Sequence, residues 1–369
     1  MGLELVYSPI SGGYFIAQSA ILGTLLEARR GLAQGSQPDA YFGASGGNLA
    51  SILSLSFKDT SESVERTAKR LSSDMFVRNW WRGKLSVLPS AVAGVFKNSG
   101  IYREGKGADK LLEDVFTSQD ILDGPEIWSL TFNTGVELGA LNCSKPRANS
   151  IFADYLDDDY LIESGCGEVN YLDADLKRIA DVTLASASIP GLKASVEIGG
   201  QRYVDGGIAR ATPGTFFNEA IIDLRDAVPA YSGYLHYYYI LPSQLGDDTT
   251  RHNFIKSTES INGHWITRVV EYIKNFTVSA TFTDKYSVFE NWLRVAGLKR
   301  KNLTEITLTD VTANKLKPVL ESLNDKHYFM IFYPTDDAAV DITDFDNKHL
   351  EENYTKALNS IKVEIYHSV

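Results

Sequence analysis

The chain opens on an apolar run, Leu3-Glu4-Leu5-Val6-Tyr7, that reads as a strand. Pro9 to Gly13 then carries turn residues, and Phe15 to Arg30 reads as a helix with Leu22, Leu25 and Leu26 on one face. Arg29 and Arg30 in its last turn, with Gly31 just beyond, form a stop, because cations favour the negative helix end and glycine adopts left-handed backbone easily. The uncharged stretch from Leu5 to Leu26 is long enough to be tested as a membrane span. Ser8, Pro9, Ser11, Gly12, Gly13, Gln18 and Ser19 interrupt it, so it predicts a buried strand, a turn and a helix start.

The same rhythm returns downstream. Tyr41-Phe42 leads through Gly43-Ala44-Ser45-Gly46-Gly47 into Leu49, Ile52, Leu53 and Phe57 at helical spacing. Val196-Glu197-Ile198 and Gln201-Arg202-Tyr203-Val204 flank Gly199-Gly200, a two-residue hairpin turn. Glu219 to Leu224 predicts a helix, Tyr234 to Leu241 a buried strand, and Ser243 to Asn262 a polar loop. Trp265, Val269, Tyr272, Ile273 and Phe276 mark a helix, and His327 to Tyr333 an aromatic strand. After the polar turn Asp341 to Asp346, His349, Leu350, Tyr354 and Leu358 outline a terminal helix. Repeats and low-complexity tracts are absent, and no clear linker follows Pro213, so the expectation is one continuous domain over residues 1–369.

Chemistry concentrates in three glycine-bearing turns. Gly43-Ala44-Ser45-Gly46-Gly47 is a Gly-x-Ser-x-Gly pentapeptide between a strand and a helix, the context that exposes a nucleophilic serine. Sharp turns tolerate little beyond glycine at the flanks, and the helix N-terminus favours developing negative charge at Ser45. With 29 glycines in 369 residues such pentapeptides also arise by chance, so the neighbouring turns matter. Asp205 ends the second strand of the predicted hairpin and is followed by Gly206-Gly207, which leave its carboxylate approachable. It reads either as a base that takes the serine proton or as an ordinary Asp-Gly turn residue. Gly12 and Gly13 lie at the first strand-to-helix turn, where bare backbone N–H groups can face an oxyanion. A dinucleotide site is the competitor there, but two adjacent glycines do not make Gly-x-Gly-x-x-Gly and no acidic second-strand end is evident.

In content and order, Gly12-Gly13, Gly43-Ala44-Ser45-Gly46-Gly47, Ala185-Ser186-Ala187-Ser188-Ile189-Pro190 and Tyr203-Val204-Asp205-Gly206-Gly207 resemble the patatin-like phospholipases. The resemblance runs from about Leu3 to Pro213, with Ile101-Tyr102 and Ala108 to Phe116 like the helix ahead of the family's middle region, and is weaker over 214–369. It implies a three-layer, modified doubly wound α/β fold related to the α/β-hydrolases. It also implies a Ser-Asp dyad, with Ser45 the nucleophile, Asp205 the base and Gly12, Gly13 and Gly46 supplying oxyanion-hole N–H groups. The implied reaction is acyl hydrolysis of phospholipids, galactolipids or neutral lipids, with no metal and no cofactor. One block departs from the pattern: where the family has Asp-Gly-Gly-Gly-x-Arg-Gly, this chain has Ile10-Ser11-Gly12-Gly13-Tyr14-Phe15-Ile16, without the aspartate, one glycine, the basic residue and the last glycine.

The six histidines, His236, His252, His264, His327, His349 and His367, all follow Asp205. A Ser, Asp, His order is therefore formally available, but none sits in a recognisable loop signature, which favours the dyad. Other readings of the same site are an esterase or thioesterase on a non-phospholipid acyl substrate, or a binding module that kept the fold without turnover.

Composition narrows the setting. Hydrophobic residues at 44% and charged residues at 22% are ordinary globular usage. Two cysteines, Cys143 and Cys166, are too few for a disulfide framework and read as small buried hydrophobes. Sequons at Asn142, Asn275, Asn302 and Asn353 would matter only in a secreted chain, and the N-terminus lacks a signal-peptide or myristoylation pattern. The expectation is a cytoplasmic enzyme, with peripheral membrane association left open. A net charge of −11 argues against nucleic acid or an anionic bilayer as a general partner. Arg78-Asn79-Trp80-Trp81-Arg82-Gly83-Lys84, leading into Leu85, Val87, Leu88, Val92, Val95 and Phe96, reads as an interfacial anchor, a lid, or a cap packed on the core. Zinc-spaced Cys/His clusters and phosphate-binding Gly-Lys loops are absent, which argues against a metalloenzyme or an NTPase, and the partner the resemblance implies is a lipid or membrane-surface substrate.

Overall fold

The computed structural model describes residues 2–11, 15–32, 35, 37–55, 112–113, 115–190, 194–243, 265–335 and 347–369; over 265–279 and 347–351 the description is of backbone only. The strands are β1 (Leu3–Ser8), β2 (Ala40–Ala44), β3 (Glu126–Asn133), β4 (Leu138–Cys143), β5 (Cys166–Tyr171), β6 (Val196–Ile198), β7 (Gln201–Asp205), β8 (Leu235–Ile240), β9 (Leu303–Leu308), β10 (Tyr328–Pro334) and β11 (Ile361–Ser368). The helices are α1 (Phe15–Arg29), α2 (Gly46–Ser54), α3 (Ser118–Asp123), α4 (Asp158–Glu163), α5 (Leu176–Ser186), α6 (Asn218–Ala227), α7 (Trp265–Val295), α8 (Ala313–Ser322) and α9 (Asn347–Leu358).

All of these strands join one mixed sheet in the order β5-β4-β3-β2-β1-β8-β10-β11-β9, with the β6–β7 hairpin attached to β3. The middle of the sheet is parallel: β3 with β2, β2 with β1, β1 with β8 and β8 with β10. Such strands are covered on both faces and read as continuous apolar runs, as the Leu-His-Tyr-Tyr-Tyr-Ile of β8 does. Alternate side chains go to opposite faces. Val6, Tyr41, Ile127, Tyr238 and Met330 meet α1, α2, α5 and α8 on one side. Tyr7, Phe42, Trp128, Tyr237, Tyr239 and Phe329 meet α6 and α7 on the other. The result is a three-layer α/β fold with two cores, the second dominated by rings such as Phe42 and Phe217, whose centroids are 4.8 Å apart.

Several sequence expectations change. The helix carrying Tyr354 and Leu358 is not terminal, because β11 follows it and pairs between β10 and β9. Its signal is visible in retrospect: Ile361, Val363 and Ile365 are buried while Lys362, Glu364 and Tyr366 are half-buried, a period of two. The helix beginning at Trp265 continues to Val295 and covers the aromatic core with Val288 and Trp292. α1 is buried on nearly every side, since it lies between the sheet and α2, α8 and α9. Arg29 ends α1, as its place before Gly31 predicts, and is fully buried. Its Nη1 donates to Glu4 Oε1 and to Tyr238 Oη, each at 2.7 Å. Burial alone would raise the Glu4 carboxyl, but the Arg29 charge and hydrogen bonds from Arg29 and His236 bring it down to about 2. Asn142 is also buried in β4, where its amide donates to the Ser129 and Ala140 carbonyls, so this sequon cannot be modified in the folded chain. Cys143 and Cys166 are free and buried, and burial pushes both thiols up. Among the described residues, no helix is long and apolar enough to cross a membrane and no side-chain cluster has the makings of a metal site.

One buried carboxyl gives the fold a pH dependence. Asp284 on α7 accepts the Tyr239 hydroxyl at 2.8 Å. Burial pushes its carboxyl up to about 8, against the hydrogen bond from Tyr239, the charge of Arg210 and the Thr212 amide. An unfolded aspartate titrates near 3.8, so at intermediate pH the native state holds a proton that the unfolded chain has released. This contribution is complete below about pH 4 and is lost as pH rises through the folded value, at about 1.4 kcal/mol per unit. Asp284→Asn keeps an oxygen for Tyr239 and removes the titration. Its melting temperature should therefore gain on that of the parent protein as the buffer goes from about pH 5 to about pH 8. Thermal melts across that range decide it: a difference that stays constant with pH removes Asp284 as the source.

Candidate active site

The elbow is built where β2 gives way to α2. Ala44 is the last strand residue, Ser45 has φ 53° and ψ −130°, and Gly46 begins the helix. A serine at positive φ is strained by roughly 1–3 kcal/mol, so the surroundings must hold it there. The Ser45 carbonyl accepts the amides of Asn48 at 3.1 Å and Leu49 at 3.4 Å, which starts α2 immediately. The flanking glycines answer to close approach rather than to dihedral freedom. A Cβ on Gly43 would sit 2.6 Å from Asn48 Cα, and one on Gly47 would overlap the carbonyl oxygens of Ser8 and Pro9. These neighbours enclose the turn. Ser45 is only 1% exposed, which corrects the expectation of an open turn serine.

Asp205 is the last residue of β7 and is 2% exposed. Its amide donates to Ser188 O at 3.0 Å, and its Oδ1 accepts the Gly207 amide at 2.8 Å. A Cβ on Gly206 would overlap Leu130 O, and one on Gly207 would overlap Ile10 Cδ1, so this turn too presses against its neighbours. The turn of the preceding hairpin has Gly199 at φ 60° and Gly200 at φ 81°, left-handed at both central positions.

Serine and aspartate are brought together by β3. One edge of β3 is occupied by β4 from Trp128 to Asn133. β2 and β7 must therefore share the other edge: β2 pairs as far as its last residue, Ala44, opposite Leu130, and β7 ends with Asp205 opposite Thr131. The strands run in opposite directions and meet end to end. Ala44 and Asp205 face successive residues of β3, roughly 3.3 Å apart along that strand. Ser186, at the end of α5, closes the junction. Its hydroxyl accepts the Ser45 amide at 2.9 Å and donates to Leu130 O at 2.7 Å. Asp175 caps the other end of α5, accepting from the Lys177 and Arg178 amides.

The described histidines lie elsewhere. His236 pairs in register with Glu4, four residues before Ser8, hence about 13 Å along the sheet from the elbow end of β1. Its Nδ1 lies 3.2 Å from Glu4 Oε1 and its Nε2 3.0 Å from Lys326 O. His327 Nδ1 accepts the Leu235 amide at 3.0 Å, and His367 is opposite Tyr328, both at that same far end. His252, His264 and the side chain of His349 are outside the described residues, as are Gly12, Gly13, Trp80 and Trp81. Phe15, standing where the basic residue of the related pattern would be, is 2% exposed and packed in the first core. The linking role of Ser186 and Leu130 was not read from the sequence. The only signal was the small-residue stretch from Ala185 to Pro190, which carries no mark of which hydroxyl turns inward.

A three-layer α/β sheet that carries a serine through a strained strand-to-helix elbow defines a class of hydrolases. Residues 10–216, more than half of the chain and spanning both the elbow and Asp205, match the family model for patatin-like phospholipases, and the chain belongs to that family. It is accordingly a hydrolase of lipid esters. No curated protein matches the sequence significantly.

Proposed function

We propose that the chain is a phospholipase A-like acyl hydrolase working through a dyad of Ser45 and Asp205. The observation that supports this reading is the end-to-end meeting of β2 and β7 on one edge of β3, where Ala44, just before the elbow serine, and Asp205 stand opposite successive residues of that strand. Ser45 Oγ bonds to the ester carbonyl carbon while its proton passes to Asp205. The tetrahedral intermediate collapses, the alcohol leaves with the proton from Asp205, and an acyl-serine remains. Water then attacks the acyl carbon, again giving its proton to Asp205, and the acid departs as Ser45 recovers a proton. The developing oxyanion is taken up by backbone N–H groups of Gly46, at the free N-terminus of α2, and of Gly12 and Gly13. Burial of Ser45 and Asp205 supports the electrostatics, because such donors act more strongly where water is excluded. With the apolar Phe15 in place of a cation, the first loop offers no charge to an anionic head group.

The test is a hydrolysis panel: phospholipids, neutral glycerides, acyl-CoA and short p-nitrophenyl esters, each with and without excess EDTA. Long-chain esters should be cleaved, and the monomeric short esters should lose less than about twofold in EDTA, because backbone donors rather than an ion hold the oxyanion. Cleavage confined to acyl-CoA or short esters would favour the thioesterase or esterase reading, and no turnover on any substrate would favour a binding module. Complete EDTA inhibition of the soluble assay would overturn the metal-free mechanism.

A further inference from the structure

We infer that Ser186 is a positioning residue for Ser45, an inference that rests on the dyad reading above. Parallel pairing of β2 with β3 ends at Ala44 and Leu130 because the chain turns into the elbow at Ser45. The Ser45 amide then points at a side chain instead of a strand. The Ser186 hydroxyl is interposed: it accepts that amide at 2.9 Å and passes a hydrogen bond to Leu130 O at 2.7 Å. The ladder is thus extended by one residue through a side chain, and the strained residue is tied to β3, which pairs with Asp205 at its next position.

The same short segment holds the second partner. Two residues after Ser186, the Ser188 carbonyl accepts the Asp205 amide at 3.0 Å. One end of α5 and its exit therefore grip the backbone of both Ser45 and Asp205. Ser186 is fully buried and its hydroxyl is both donor and acceptor here, so no water needs to complete it. Ser188 differs, since its own hydroxyl is spent within the helix end on Leu184 O at 2.6 Å. Of the two serines, only Ser186 reaches the elbow with its side chain.

Loss of this hydroxyl leaves a buried amide and a buried carbonyl without their shared partner and frees the elbow to relax. Small misplacement of a reacting group costs rate rather than binding, with about 100-fold for about 1 Å as a guide. Ser186→Ala should lower kcat by about 10- to 100-fold with KM within about twofold. The rate of Ser45 labelling by a fluorophosphonate should fall in the same proportion. Ser186→Thr and Ser186→Val, equal in shape and different in the hydroxyl, separate positioning from packing. Thr should exceed Val in kcat by about tenfold or more, because both strain the site equally and only Thr can bridge Ser45 to Leu130. Wild-type kcat in a folded Ser186→Ala, or equal kcat in the Thr and Val variants, overturns the inference. If Ser186→Ala does not fold, the Thr and Val pair decides. Failure of the dyad reading shows separately, as activity remaining in Ser45→Ala.

Discussion

Ser45→Ala is expected to lower kcat for ester hydrolysis by about 10⁴-fold or more while the protein stays folded. The alanine keeps the Cβ, the strained φ and the backbone bonds of the elbow to Ser186, Asn48 and Leu49, so only the oxygen is lost. Thermal stability should stay within about 0.5 kcal/mol. Ser45→Gly would be as inactive and more stable, by up to about 1–3 kcal/mol of released strain less the extra entropy of an unfolded glycine. Rates on a monomeric ester, melts, and the intact mass after fluorophosphonate treatment measure all of this. The adduct should map to Ser45 alone. Hydrolysis by Ser45→Ala within about tenfold of the parent enzyme would exclude Ser45 as the nucleophile.

Asp205→Asn should lose almost as much. The amide oxygen can still accept the Gly207 N–H that Oδ1 accepts at 2.8 Å, which keeps the turn, but an amide cannot take the serine proton. Since nucleophile and base act as one unit, the double variant should be hardly slower than either single one. The positions of His236, His327 and His367 at the far end of the sheet leave none of these three as a substitute base. A triad would reveal itself differently, as high residual rates in Asp205→Asn together with inactivity, in a folded protein, on replacing one of the six histidines.

Local patterns carried much of the fold. β1, the elbow helix, the glycine hairpin and the aromatic strands β8 and β10 all stood out because period, breakers and turn chemistry agreed over a few residues. β3 did not, although its Glu126-Ile127-Trp128-Ser129-Leu130-Thr131-Phe132-Asn133 is the strand on which the site is assembled. Its Ser129, Thr131 and Asn133 are buried polar residues that break an apolar run. Their partners lie largely on other elements, as where Ser129 Oγ donates to Asn48 Oδ1 on α2 and Asn142 Nδ2 donates to Thr131 Oγ1 at 3.1 Å. The partner of Arg29 was hidden for a related reason, since Glu4 lies on a different element and a helix-end arginine looks the same whether it meets water or a buried carboxylate. Ser45 and Asp205 were legible as residue types at turns. That they share an edge of β3 is a matter of register, which no spacing along the chain encodes.

The pairing of β1 also bears on the order in which the molecule can be made. Leu5 lies beside Ala40 on one edge and beside Tyr237 on the other. As the nascent chain leaves the ribosome, the first edge can close early, but the second stays open until β8 has emerged. The family-matching region ends at residue 216, before that strand, although it already holds Ser45 and Asp205. Synthesis therefore passes through a stage in which every block of the family pattern exists while a central strand still displays unpaired amides and carbonyls, the surface that invites aggregation. The stretch after residue 216, which carries none of the proposed chemistry, supplies the strand that shields it.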